Sequence, residues 1–220
     1  MPSEAAFPER IELKRISRDE ESGNVFLSFL LTLDGKAKKS TLCVGYETAK
    51  ALELRRGYVE RETYEKIKKE SERLGAYRRG MTILSYGANS KKALERKLVR
   101  RGFCADSVNE AVESLENKGY IDEDSGARGV AVSEIRKLYG ERRIYEKLRQ
   151  KGYTSPFPES VREVIEQTDF PENCARLIKK KYGSFPKDRA DADKVIAALV
   201  RYGYSFSQIK NAISMLSGEK

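Results

Sequence analysis

A chain of 220 residues has room for one large domain, or for a small domain joined to a repeat array. Its 39% hydrophobic content supports a core, while 35% charged residues and a net charge of +9 favour an elongated body with much surface. Histidine is absent, which excludes Ser-His and Cys-His nucleophiles and His-ligated zinc, and leaves an enzyme only carboxylates, lysine or tyrosine.

The first nine residues are polar, carry Pro2 and Pro8, and are expected to be disordered. They show no apolar run behind a basic start, so no signal peptide is expected. No apolar stretch reaches spanning length, which excludes a membrane helix. Alternation at Ile11, Leu13 and Arg15 predicts a half-buried strand. A turn cluster, Asp19 to Asn24, leads to a second strand over Val25 to Leu33. Asp34-Gly35 suits a tight hairpin, and Ser40 to Val44 returns as a third strand. A short helix is predicted over Glu47 to Leu54, facing inward through Ala49, Leu52 and Leu54 and stopped by Gly57. A charged helix over Glu62 to Arg73, punctuated by Tyr64, Ile67 and Leu74, links this β module to the remainder of the chain.

From Ala76 onward the chain repeats. Leu98-Val99-Arg100-Arg101-Gly102-Phe103, Leu148-Arg149-Gln150-Lys151-Gly152-Tyr153 and Leu199-Val200-Arg201-Tyr202-Gly203-Tyr204 are related, with glycines 50 and 51 residues apart. Each copy is read as three helices. The first runs to Tyr86-Gly87, Tyr139-Gly140 or Tyr182-Gly183, where the glycine is expected to supply a left-handed cap. The second ends at Gly102, Gly152 or Gly203 behind basic residues that suit the helix dipole. The third carries Val108, Val112 and Leu115, then Val161 and Ile165, then Ile209, Ile213 and Leu216. Thr154 to Pro158 separates the second and third helices of the middle copy, and Ser205-x-x-Gln208 is a capping box. The expected architecture is mainly α: tandem three-helix repeats in an elongated curved array behind a small N-terminal antiparallel β module. Its divisions fall at 1–60 for the β module, 61–75 for the linking helix, and 76–123, 124–171 and 172–220 for the repeats.

Charge balances through Glu60, with 10 basic and 10 acidic residues, and the surplus lies beyond, most of it after Glu172. A wheel of the first copy's second helix puts Leu94, Leu98 and Arg101 inside, and Lys92, Arg96 and Arg100 outside with Lys97 beside them. In the middle copy Ile144 and Leu148 are inner. Arg142 and Arg149 face out, Arg143 and Lys147 flank them, and Lys151 lies just beyond. In the third copy Val195 and Leu199 are inner, and the charge comes from Lys179, Lys180, Lys181 and Arg201. Such rows of cations suit a phosphate backbone or an acidic filament surface, against the plainer reading of a solvated face. No aromatic-rich motif, zinc finger or basic zipper accompanies them, so base-specific reading is not expected.

Asp188, Asp191 and Asp193 supply hard ligands for a divalent cation, but without the glycine and distal glutamate of a calcium loop. Asp191 reads better as a helix N-cap. Gly80, Gly87 and Gly102 are dispersed and form no phosphate loop. Cys43, Cys104 and Cys174 form no Cys-x-x-Cys pair and read as small core residues in a reducing cytosol. No metal and no cofactor are expected.

Several of these stretches together resemble one family. Leu84-Ser85-Tyr86, then Ser90 through Leu98 and Arg101-Gly102-Phe103, are similar to the RecX family of bacterial recombination regulators. So is the junction Leu115-Glu116-Asn117-Lys118-Gly119-Tyr120-Ile121-Asp122-Glu123. Gly140, Arg142, Arg143, Ile144, Leu148, Lys151 and Gly152 match the family's most recognisable motif. The resemblance extends from about Ala76 to Leu216. It implies a cytoplasmic, monomeric, non-enzymatic regulator of the RecA recombinase. Its three-helix repeats would lie as a curved rod in the groove of the RecA–single-stranded DNA filament and inhibit ATP hydrolysis and strand exchange. Double-stranded DNA is a further candidate partner. Two departures stand out: Ser125-Gly126-Ala127 replaces the family's usual aromatic, and the third copy's basic helix is diluted. A general DNA-binding module without a recombinase partner is the alternative, and a nuclease using the three aspartates a third reading.

Overall fold

The computed structural model describes residues 7–218. The expected disorder falls largely on residues 1–6, which lie outside them. Phe7 packs beside the Tyr64 ring and the Glu9 amide donates to the Thr32 carbonyl at 2.8 Å, so the chain is already tied to the fold at Phe7 and Glu9. The chain divides into two compact units, residues 1–86 with 95–120, and residues 87–94 with 121–220.

The first unit opens with an antiparallel sheet of β1 (Arg10–Arg18), β2 (Asn24–Leu33), β3 (Lys36–Gly45) and β4 (Gly57–Tyr58), in the order β3-β2-β1-β4. Period-two patterning sets its inner face: Val25, Leu27, Phe29 and Leu31 are buried while Phe26, Ser28, Leu30 and Thr32 are partly open. Asp34 and Gly35 both have positive φ, 47° and 69°, the two-residue turn whose twist matches the flanking strands. That turn pairs Leu33 with Lys36, so β3 starts four residues earlier than patterning indicates. The added residues include exposed Lys36, Lys38 and Lys39, which discourage further strand pairing at the edge.

Helix α1 (Tyr46–Ala51) is shorter than expected, and Gly57 does not end it. Leu52 caps the helix, Glu53 turns the chain at φ 46°, and Gly57 pairs with Leu13 in β4. In place of the expected linking helix and a separate first helix, one helix, α2, runs from Arg61 to Ser85. Its first half lays Tyr64 and Ile67 on the sheet, with Tyr64 edge-on to Phe29 at 5.1 Å. Its second half buries Ala76, Gly80 and Ile83 and packs on α4 (Ala105–Asn117), which buries Val108, Ala111, Val112 and Leu115. Gly75 lies within it, where a Cβ would press on the Phe103 ring at 3.2 Å. Of the cysteines only Cys174 is core. Cys43 is half-buried, and Cys104 is exposed at the N-cap of α4, where its amide bonds the Glu72 carboxylate.

The second unit holds α5 (Glu123–Arg136), α6 (Glu141–Gln150), α7 (Glu159–Glu166), α8 (Phe170–Tyr182), α9 (Arg189–Arg201) and α10 (Phe206–Gly218). One apolar cluster joins them, including Ile144, Leu148, Val161, Ile178, Leu199 and Ile209. Side-chain caps fix the helix starts: Asp122, Asp169 and Asp188 each accept from an amide three residues on. The Ser205–Gln208 box closes in both directions, at 2.9 and 3.2 Å. The cap of α9 is therefore Asp188, and Asp191 lies within the first turn, paired with Lys194. Gly126 leaves room for Tyr153, whose hydroxyl oxygen would lie 2.5 Å from a Cβ there.

The tightest joint is between two glycines. Gly140 is not the left-handed cap of α5; Leu138 takes that conformation at φ 61°, and Gly140 is the N-cap of α6 with φ −75°. Its amide donates to the Tyr202 carbonyl at 2.9 Å, and the Arg142 amide donates to the Gly203 carbonyl at 3.2 Å. The buried Tyr204 hydroxyl donates to the Leu138 carbonyl at 2.8 Å. A Cβ on Gly140 would sit 2.3 Å from the Gly203 carbonyl carbon, and one on Gly203 would sit 2.5 Å from the Arg143 nitrogen. Gly203 also holds φ 96°. A looser counterpart joins Ser90 to the Lys151 carbonyl at 2.8 Å, with Ser90 Oγ also accepting from the Ala93 amide.

Gly140→Ala should therefore destabilise the protein by about 3 kcal/mol, because backbone on the far side cannot retreat as a side chain can. Gly129→Ala, in α5 with open space around it, should instead stabilise by about 0.5–1 kcal/mol. Urea unfolding midpoints of the two variants check both signs. A second expectation concerns alkali. Burial pushes the Cys174 thiol up to about 12 and raises the Tyr204 phenol as well. The unfolded chain then loses those protons first as pH rises. Stability should fall between about pH 9 and 12, by up to about 1.4 kcal/mol per pH unit for the thiol. A urea-midpoint series against pH should show that decline, shallower in Cys174→Ala.

Candidate functional site

Burial of Ile144 and Leu148 sets the rotation of α6. Once those two face inward, the helical period leaves Arg142, Arg143 and Arg149 exposed, Lys147 half-buried and Lys151 exposed just beyond the last turn. Arg142 pairs with Glu146 at 3.3 Å. The Arg149 guanidinium lies 5.7 Å from the Phe157 ring, which itself stacks on Tyr145 at 5.2 Å.

The joint at Gly140 draws the third copy's basic residues to the same place. Tyr139 and Tyr202, each one residue before a joint glycine, stack at 5.4 Å and 25°. Arg143 sits 4.7 Å from the Tyr139 ring centre and Lys181 sits 4.4 Å from that of Tyr202. The Arg143 guanidinium also reaches the Arg201 carbonyl at 3.4 Å. Hydrogen bonding to Tyr202 raises the Lys181 ammonium above its ordinary value. Arg143 and Lys181, distant in the chain, thus sit on one tyrosine pair, and Arg201 lines a groove with Arg142 and Arg143. Lys180 is exposed in the same last turn of α8, as is Lys179, which has partners of its own.

Grooves run along both flanks of α6. Tyr139, Arg143 and Lys147 line one with Lys137, Gln150, Glu146 and the buried Glu134, whose carboxylate pairs with Lys137 at 2.6 Å. Arg142, Tyr145 and Arg149 line the other with Val200, Tyr204 and Phe206. In α3 (Lys91–Val99), Leu94 and Leu98 are fully buried and Lys92 and Arg96 are exposed with Lys97 half-buried, and Arg100 is exposed just beyond its end. In the first unit Lys97 and Arg100 edge a shallow hollow with Arg101, Ile83 and Tyr86, whose ring is 88% exposed. Arg101 is not on the buried side. Helix α3 ends two residues before it, and its guanidinium turns back to the Lys97 carbonyl at 3.2 Å.

The aromatic component of this surface escapes a linear reading. Tyr139, Tyr145, Tyr202 and Phe206 are scattered in the sequence and meet basic side chains only in space. The signal that could have found them is the tyrosine preceding Gly140 and Gly203, which the cap interpretation absorbs. Of the three aspartates read as a possible cation site, Asp188 caps α9, Asp191 pairs with Lys194 and Asp193 is exposed. Among the described residues no group of three or more Cys, Asp or Glu side chains is placed to hold a metal ion. No helix among them is long and apolar enough to cross a membrane.

A mainly helical chain with a small N-terminal antiparallel sheet carries these basic and aromatic side chains. No protein-family model matches the sequence. Curated relatives do: the regulatory protein RecX of Xanthomonas campestris pv. campestris strain B100 is 30% identical over 135 residues, 61% of this chain and 83% of the relative. That of Pelodictyon phaeoclathratiforme is 27% identical over 146 residues, 64% of this chain and 89% of the relative. The chain belongs to the RecX family. Its fold is similar to a crystal structure of regulatory protein RecX, with a TM-score of 0.66 and 20% identity over 92% of this chain and 98% of the other. It is also similar to that of RecX from Lactobacillus salivarius, with a TM-score of 0.57 and 21% identity over 66% of this chain and 97% of the other.

Tyr202→Phe should keep the ring stack but lose the hydrogen bond to Lys181. The Lys181 pKa should then drop toward its ordinary value, as read by NMR titration of the lysine side-chain nitrogens. Tyr202→Ala, which also removes the stack, should cost about 1–2 kcal/mol of stability.

Proposed function

We propose that this chain regulates a RecA-type recombinase by binding its filament on single-stranded DNA and lowering ATP hydrolysis and strand exchange. The reading takes the chain as a monomer of three helical repeats over residues 76–123, 124–171 and 172–220, working without a cofactor. Family membership supports the regulatory role. The observation that carries the binding mode is the convergence of Arg143 and Lys181 on the Tyr139–Tyr202 pair, beside the outward row of α6. Cations held on a rigid aromatic base lose little freedom when they meet phosphates or acidic side chains, so less binding energy goes into ordering them. Arg142, Arg143, Lys147, Arg149 and Lys151 form the central contact. Lys92, Arg96, Lys97 and Arg100 act before it in the chain, and Lys179, Lys180, Lys181 and Arg201 after it.

The test is recombinase ATPase on single-stranded DNA with increasing amounts of this protein. The rate should fall with the native chain and stay near its starting value with the Arg142→Ala, Arg143→Ala, Lys147→Ala triple variant, whose circular dichroism should be unchanged. If all three cations meet phosphates, the salt slope of DNA binding in that variant should shrink by about 2, at about 0.7 per phosphate lost. An ATPase rate that never responds, with tight salt-sensitive binding to bare DNA, would instead identify a general DNA-binding module.

A further inference from the structure

The first residue of α10, Phe206, stands apart from the rest of its helix. On a helical wheel it falls beside the stripe of Ile209, Ile213 and Leu216, where a ring should be covered. It is nevertheless 72% exposed, and it has no aromatic or cationic ring partner among the described residues. Phe206 lies at the groove beside α6. It shares the lining of that groove with Tyr145, Val200, Tyr204 and two arginines, Arg142 and Arg149. One carboxylate, Glu141, also lines it, so arginine outnumbers acid two to one.

We infer that Phe206 is a stacking platform for an unpaired nucleobase, with Arg142 and Arg149 on the adjoining phosphates. The groove would then distinguish single-stranded from double-stranded DNA. This rests on the proposed binding of single-stranded DNA and adds to it a base-contacting subsite. The charge balance selects a polyanion. The form of the aromatic surface selects a base over a peptide side chain: a peptide anchor needs an enclosed pocket, whereas an unstacked base needs only an open ring. A duplex keeps its bases stacked on each other and offers the ring nothing, while its phosphates still meet the arginines. Stacking is indifferent to base identity, so sequence preference is not expected.

The chain contains no tryptophan, which gives the test a direct signal. F206W places a single indole at the platform of the full-length protein. Its fluorescence should be quenched by oligo(dT), and left nearly unchanged by a duplex of equal length or by an abasic strand carrying phosphates alone. Phe206→Ala should bind oligo(dT) on the order of 10-fold more weakly than the native chain while its affinity for duplex stays within about 2-fold. Its ring is exposed, so circular dichroism should match the native protein. Absence of quenching by oligo(dT), equal quenching by duplex, or quenching by an acidic poly(Glu,Tyr) copolymer in its place would each overturn the platform. The last would make the groove a peptide site. Recombinase ATPase measured on the same samples separates the two readings. A native chain that lowers ATPase while F206W gives no quenching loses only the platform. Quenching by oligo(dT) without any effect on ATPase loses only the filament reading.

Discussion

Backbone meets backbone at Gly140 and Gly203, and the surface of the second unit depends on that contact. No side chain can stand at either position, because a Cβ would enter the carbonyl or amide of the other strand of chain. The result is a joint of two main-chain hydrogen bonds at the start of α6, with the Tyr204 hydroxyl tying in the Leu138 carbonyl beneath. Amides at a helix start need acceptors from outside the helix, and here the turn between α9 and α10 provides one. The same contact places Tyr139 against Tyr202, and those rings in turn hold Arg143 and Lys181. Geometry needed for folding thereby also positions charge.

The joint has a looser relative at Ser90, which meets the carbonyl of Lys151 just before Gly152. In both places the start of a second helix touches the turn that closes the next copy's second helix. Serine replaces glycine where the approach is wider, and its hydroxyl then both donates to the turn and caps its own helix. A second recurring fit is aromatic on small residue: Phe103 against Gly75 and Tyr153 against Gly126. Gly126 is thus the counterpart of the Tyr153 ring.

Period and punctuation make much of the fold legible. Alternation marks the inner face of β2, Asp34-Gly35 marks the hairpin, and the pairs Leu94–Leu98, Ile144–Leu148 and Val195–Leu199 mark the buried edges of the second helices. Failures come where one residue type serves two purposes. Gly140 reads as a cap because glycine favours positive φ, yet it is needed for close approach, and Leu138 bears the strain instead. Gly57 reads as a stop and is a strand residue. The basic residues proposed for binding can be picked out on a helical wheel. That Arg143 and Lys181 share a tyrosine pair, and that Phe206 lies open, depends on contacts across about 60 residues of chain, which local periodicity does not carry.

The proposal that the surface around α6 is the contact with the recombinase filament can be tested by lysine-reactivity footprinting with mass spectrometry. The chain would be labelled free and in the presence of recombinase assembled on single-stranded DNA. Lys147, Lys151 and Lys181 should lose reactivity on binding, while Lys36, Lys38 and Lys39 on β3 keep theirs. Protection confined to the β3 lysines, or unchanged reactivity at all six positions, would contradict the proposal.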